Sequence, residues 1–495
     1  MSLLYFFVLI PIVMMVMFAG AKNSRQTNII AFSGSVSLIG MSFYLLFDYL
    51  KQRAQGLTDE MLYVNDVVWY KNFNIHFNTG VDGISVLMIL LSSIIVFAAY
   101  LVAWKNDLMK KEFFILFAFL SAGAYGFFIS LDLFTMFFFL EMSVVPKFLL
   151  IAVWGSGRKS YSAMKLALML MAGSVFVLFG ILGIYYGTGA VTLDIMKLAQ
   201  LSVVPEWQNI LFLSTFIGFG IIGAMFPFHN WVPDGHSSAP TPVSMFLSGI
   251  SMKLGAYGAY RVAIFLLPAA AKELSWIFLI LAAFSVVYGA FAALAQKDLK
   301  YINAYASISH CGLIFFAFLL FNATALTGAF MQIVSHGLIT ALFFAVIGMI
   351  YSRTHTRLIT EMGGLMKVMP FIGVAFMLGG LASLGLPGFS GFIAEMTVFV
   401  GAFAEAGTLQ WVLTVFATTT IVLTAVYILR AVGKVMFGPV QDAHHLSLTD
   451  ATWWEKTAVV TLVLSSVVMG VLPFWMNDMF YQSVLPLVTK MWAFN

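Results

Sequence analysis

Six ionisable side chains stand inside stretches that are otherwise almost wholly apolar. Glu141 and Lys147 lie in "LFTMFFFLEMSVVPKFLLIAVWG", Lys253 in "FLSGISMKLGAYGAYR", His310 in "AYASISHCGLIFF", His336 in "MQIVSHGLITALFF" and Glu395 in "GFIAEMTVF". A charge at the centre of a bilayer costs roughly 2.5–3.5 kcal/mol on insertion scales unless it meets a partner or water. None of these stretches is amphipathic enough to be a surface helix, so each group is expected to point into the interior. The assortment suits proton movement. Carboxylates and lysines exchange charge when burial and neighbours bring their titration toward neutrality, and histidine titrates there already. Arginine, which keeps its proton, would not serve.

Other polar residues read as structural. Asp132, at the start of its apolar run, is placed to cap a helix, and Lys165, just past "GRK", to snorkel toward the membrane surface. The run "HNWVPDGHSSAP" offers His229, Asp234 and His236, but its spacing is not that of two histidines one helical turn apart. Its prolines suggest a loop, so no metal site is expected. With one cysteine, Cys311, an internal disulfide is excluded, and no thiolate cluster could hold iron–sulfur or structural zinc. The chain is therefore expected to carry no cofactor and no metal. A net charge of +4 does not point to nucleic acid.

What positions these residues is set by composition. The chain is 61% hydrophobic and 9% charged, and apolar runs of about 20 residues, enough to cross roughly 30 Å of hydrocarbon, recur along it. An all-α polytopic membrane protein is expected, with about fourteen spans. They cover roughly 2–20, 28–50, 81–103, 112–130, 132–154, 162–186, 208–231, 240–267, 275–295, 301–321, 325–350, 368–402, 409–437 and 456–476. The opening run lacks a charged leader and a small-residue cleavage site, so it reads as a first span. Lys and Arg concentrate in "AKNSRQT", "WKNDLMKKE", "GSGRKSY", "AQKDLK" and "YSRTHTR". By the positive-inside rule these loops are cytoplasmic and both termini lie outside, periplasmic in a bacterial inner membrane. Between residues 51 and 80, "YVNDVVWYKNFNIHFN" alternates as a short hairpin would.

Two spans are interrupted alike. Pro227 falls inside "FIGFGIIGAMFPFHNWVPDGHSSAPTP", and Pro387 with Gly388 inside "MLGGLASLGLPGFSGFIAEMTVFVGAF". Such breaks survive in a membrane where the freed carbonyls line a cavity or meet protein. They lie five spans apart, and an odd repeat inverts topology. Spans four to eight and nine to thirteen are thus expected to be inverted repeats, each with a broken helix. The implied divisions are 1–111, 112–268, 269–440 and 441–495.

Taken together, "FPFHNWVPDGHSSAPTPVS", "LSGISMKLGAYGAYR", "INAYASISHCG", "IVSHGLITALFF", "YSRTHTR" followed by "MGGL", and "LGLPGFSGFIAE" resemble the antiporter-like subunits of respiratory complex I, over nearly the whole chain. The "RTHTR" and "GGL" pair and the "FFFLEM" span favour the subunit M, or chain 4, group within that family. The resemblance implies a fourteen-helix fold with two inverted repeats and proton translocation coupled to distant NADH-to-quinone electron transfer. It further implies lipids and sister antiporter-like subunits as neighbours, with flavin mononucleotide, iron–sulfur clusters and quinone held by partner subunits. It assigns proton transfer to Glu141, Lys253, His310, His336 and Glu395. One position departs from the pattern: the family's seventh-helix lysine, partner of the glutamate at Glu141, is here Ile222. Lys147, on the fifth span itself, is expected to replace it. A subunit of a multisubunit cation/proton antiporter or of a related membrane-bound hydrogenase is the alternative reading.

Overall fold

The computed structural model describes residues 2–71, 75–104, 109–404 and 407–492. Helices α1 (Tyr5–Gly20) and α2 (Ser24–Ala54) lead into an antiparallel hairpin of β1 (Leu62–Tyr70) and β2 (Ile75–Val81), as the alternation predicts. Residues 72–74 of the hairpin sequence and 105–108 of "WKNDLMKKE" lie outside the described residues. There follow α3 (Gly83–Val102), α4 (Lys111–Ile129), α5 (Leu133–Met142), α6 (Val144–Trp154), α7 (Lys159–Gly187), the single turn α8 (Ile195–Leu198), α9 (Pro205–Ile222) and α10 (Trp231–Ser238). The eighth span is built from α11 (Thr241–Phe246), a π-helical turn Leu247–Ser251, α12 (Met252–Gly258) and a second π-helical turn Ala259–Ile264. The second half holds α13 (Pro268–Ala295), α14 (Leu299–Phe318), α15 (Ala323–Thr354), the short α16 (Leu365–Val368), α17 (Pro370–Ser383), α18 (Ser390–Phe403) and α19 (Thr408–Met436). Helices α20 (Trp453–Val471) and α21 (Phe474–Trp492) close the chain. Among the described residues ten helices are long and apolar enough to cross a membrane.

Burial follows the sequence patterns. The strongly apolar α3 and the long α15 run through the centre, their most apolar stretches 100% and 94% buried, as helices with little polar surface must be. In α2 and α20 only 33% of the corresponding stretch is buried, and the remaining apolar side chains are left for lipid.

Both expected breaks are present, with local causes. Helix α9 stops at Ile222, short of the predicted 231, because Ala224 takes a φ of +63° and Pro227 follows. The run after it is not the loop expected from its prolines. Residues Trp231–Ser238 form α10, with Pro233 in the first turn, where its missing N–H would have had no intrahelical partner. The second break, between α17 and α18, turns on Gly385 and Gly388 at φ +75° and +99°. The fifth span also divides, α5 from α6 at Ser143, with Pro146 one turn on. A further difference is α21, where a tail was expected. Met476, Met479, Phe480, Val484, Leu487 and Met491 recur at helical spacing and bury one face, against α3 and α15.

The seventh and eighth spans meet at a glycine. A Cβ on Gly255 would lie 2.3 Å from the backbone nitrogen of Gly223, so the chain bearing Lys253 passes directly over the end of α9. Gly255→Val should therefore push these spans apart and lower both the yield and the heat stability of the chain in detergent-solubilised membranes. Gly20→Val, where nothing lies within 4 Å of the added carbon, should leave both unchanged.

Candidate functional site

Lys253 is buried, 1% exposed, and sits between the two π-helical turns. A π turn displaces the regular i→i−4 ladder, and here the Ser248 carbonyl accepts a hydrogen bond from Lys253 Nζ at 2.5 Å. The same Nζ lies 2.7 Å from His336 Nδ1 on α15. With the lysine donating, the imidazole proton is placed on Nε2. His336 Nε2 is buried and has no hydrogen-bond partner among the described residues, while Cys311 Sγ stands 3.9 Å from Nδ1.

From His336 the line continues to α14 and α18. The rings of His336 and His310 are 5.3 Å apart, and His310 Nδ1 lies 3.4 Å from Glu395 Oε1. Gln332, one turn before His336 on α15, reaches the same Nδ1 at 3.1 Å. Glu395 can bend back toward the break because Gly385 carries no side chain: a Cβ there would be 3.1 Å from Glu395 Oε2. Beside His310 and Glu395 is a cavity of about 10 Å³, lined also by Thr420 and Thr424 of α19. That is room for about one water.

The structure thus brings Lys253, His336, His310 and Glu395 into one line, whereas Glu141 and Lys147 stand apart from it. Lys147 is 1% exposed and donates to Ser143 Oγ at 3.0 Å, so it does not snorkel to the surface. Glu141 Oε1 is buried with no hydrogen-bond partner among the described residues. The two charges are within electrostatic reach of each other without forming a direct ion pair among the described residues. Ile222, where the resemblance implies a lysine, is buried at the last turn of α9.

Several polar residues were not anticipated. Lys165, expected to snorkel, pairs with Asp234 at 2.7 Å, and Tyr301 also reaches that carboxylate. Lys300 donates to Ala239 O and Arg357 to Ser237 O, each at 2.7 Å, which pins the segment joining α10 to α11. His236 is buried and stacked on Phe344, both ring nitrogens lack a hydrogen-bond partner among the described residues, and it lies within electrostatic reach of Lys253 and Lys300. Only Gln332, four residues before His336, carried a signal in spacing that could have placed it. Among the described residues no group of three or more His, Cys, Asp or Glu could hold a metal.

Residues 130–424 match the family described as NADH:quinone oxidoreductase/Mrp antiporter, TM. The chain belongs to this family. It is 33% identical to NADH-quinone oxidoreductase subunit M of Rhodobacter capsulatus over 483 residues, covering 95% of this chain and 92% of the relative. Its identity to subunit M of Rickettsia bellii is 31%, covering 99% and 98%. To NAD(P)H-quinone oxidoreductase chain 4 2 of Microcystis aeruginosa it is 35%, covering 81% and 73%. The subunit M and chain 4 resemblance is therefore borne out. The fold matches a chain of respiratory complex I from Thermus thermophilus at TM-score 0.89 and 24% identity, covering 99% of this chain and 100% of that one. A chain of the Mrp complex from Dietzia gives 0.85 and 19%, covering 99% and 98%. As a member of this antiporter-like family the chain has relatives that are subunits of multisubunit membrane complexes.

The burial of Lys147 carries a consequence for stability. A buried cation held by one hydroxyl is poorly compensated, and replacing it with an apolar side chain of similar length commonly stabilises. Lys147→Met should leave assembly intact and raise the midpoint of heat denaturation by a few degrees. A midpoint that falls would mean that the ammonium has better compensation than Ser143 and a distant Glu141.

Proposed function

We propose that the chain is a proton-translocating membrane subunit of an NADH–quinone oxidoreductase, held laterally between sister antiporter-like subunits in a bacterial inner membrane. It lacks a redox centre, and the flavin, iron–sulfur clusters and quinone site reside in partner subunits. The observation that carries this reading is the contact from Lys253 to His336, continued by His310 to Glu395. A proton leaving Lys253 Nζ has a ring nitrogen within hydrogen-bond distance, and a second imidazole and a carboxylate lie beyond it. Each of these groups gains and loses a proton, unlike arginine.

The Glu141 and Lys147 pair is the coupling element at the near end of this line. Bringing the two heads together favours both charged forms and separating them favours the neutral ones, so their spacing switches protonation. The first repeat, 112–268, holds this pair and Lys253. The second, 269–440, holds both histidines and Glu395, with both termini and the hairpin on the periplasmic side. The Mrp antiporter likeness is one of fold, whereas the relatives aligned over the whole chain are quinone oxidoreductase subunits, which favours the oxidoreductase over the alternative.

In an assembled complex reconstituted in vesicles, Lys253→Ala or Glu395→Gln should reduce NADH-driven proton pumping, and coupled turnover with it, by about tenfold or more, in line with positioned proton-transfer groups. Wild-type pumping by an assembled Lys253→Ala complex would remove Lys253 from the path. If Glu141 and Lys147 act as a unit, Glu141→Ala, Lys147→Ala and the double variant should be equally impaired. Lys147→Met combined with Ile222→Lys should regain part of the activity. Additive losses would separate the two residues.

A further inference from the structure

The line of titratable groups does not use Arg261 and Asp82, although both are almost fully buried, at 4% and 3% side-chain exposure, and ion-paired. They join the second π-helical turn of the eighth span to the residue that caps α3, where Asp82 Oδ1 accepts from Ser85 N at 2.8 Å. Arg261 Nε reaches Tyr257 Oη at 3.3 Å, and the guanidinium lies over the rings of Tyr257 and Tyr260. Tyr257 Oη is also 2.8 Å from Ser85 Oγ. Beyond the pair a cavity of about 330 Å³ opens on the hairpin face, lined by Arg53, Asp59, Glu60, Asp82, Arg261 and Gln482. Lys253, Tyr257 and Arg261 follow one another along the same span at i, i+4 and i+8. At 1.5 Å per residue Arg261 is about 12 Å from Lys253, between the buried line and that cavity.

We propose that Arg261, clamped by Asp82, is a proton barrier that closes the first repeat toward the hairpin face. It rests on the reading of Lys253 as part of a proton path. A guanidinium has five donors, no acceptor and a proton it does not release, so a hopping proton arriving by way of Tyr257 finds no lone pair on the guanidinium to move onto. Its fixed positive charge also repels an incoming hydronium, as an arginine does in a proton-excluding pore. Asp82 supplies the countercharge without which the buried cation would be expelled or hydrated. A pump needs such a seal, because a line of groups open to both faces at once would dissipate the gradient it builds.

The barrier is tested without turnover. Assembled complex in potassium-loaded vesicles is given a valinomycin diffusion potential in the absence of NADH, and passive proton influx is followed with an internal pH dye. Arg261→Met combined with Asp82→Asn removes both charges and leaves no buried ion unpaired. It should raise the influx about tenfold or more, as expected when a fixed charge that repels the proton is removed. Arg261→Lys keeps a cation beside Asp82 but one that can release its proton, so its influx should lie between wild type and the double variant. A double variant as tight as wild type overturns the proposal, and so does an Arg261→Lys complex leakier than the double variant. Adding Lys253→Met to the leaky variant separates the two readings. If the leak closes, it ran through Lys253; if it persists, the barrier stands and the path through Lys253 fails.

Discussion

The expense of holding charge in hydrocarbon governs this molecule, and the contact between Lys253 and His336 is where it is met most directly. Inside the bundle Lys253 Nζ has an imidazole nitrogen and the Ser248 carbonyl as partners. Both depend on backbone that is not regular helix. The π turn Leu247–Ser251 makes the carbonyl available one turn back, and the close passage at Gly255 sets the eighth span against α9. A charge that is expensive to bury has been placed where the helix geometry itself departs from its minimum.

The same logic organises the other irregularities. The bend at Gly385 and Gly388 frees α17 and α18 from one continuous helix and lets Glu395 lie against His310. The division at Ser143 gives Lys147 its hydroxyl partner. Ion pairs at the two ends of the bundle, Lys165 with Asp234 and Arg261 with Asp82, fix the segments that flank Lys253 in sequence. The apolar bulk around α3 and α15 excludes lipid and bulk water from between these anchor points.

Much of this was legible in the sequence, for a physical reason. An ionisable residue in a long apolar run is improbable unless it is used, so Lys253, His310, His336 and Glu395 stood out singly, and Pro227 and Pro387 marked the breaks. What could not be read were pairings made by tertiary approach. Arg261 and Asp82 are 179 positions apart, and each resembles an ordinary charge at a helix end. Lys300 looked like a member of a solvated basic loop and Lys165 like a lysine that snorkels, yet one is buried against a backbone carbonyl and the other neutralises Asp234. Lys147 could have snorkelled or turned inward on its sequence alone, and its burial decides for inward. Helix α21 escaped notice because its apolar residues are diluted by Asn477, Asp478 and Gln482, a pattern that packing, and not span length, makes helical.

The central claim is that protons cross the bundle through His336, which lies 2.7 Å from Lys253 Nζ and, ring to ring, 5.3 Å from His310. It is tested most directly by the pH gradient formed per NADH oxidised in vesicles carrying an assembled His336→Phe complex. Phenylalanine keeps the ring's bulk between α15 and the eighth span but has no nitrogen to accept or release a proton. The account predicts a gradient per NADH clearly below that of wild type at equal complex content. A fully assembled His336→Phe complex that builds the wild-type gradient would contradict it.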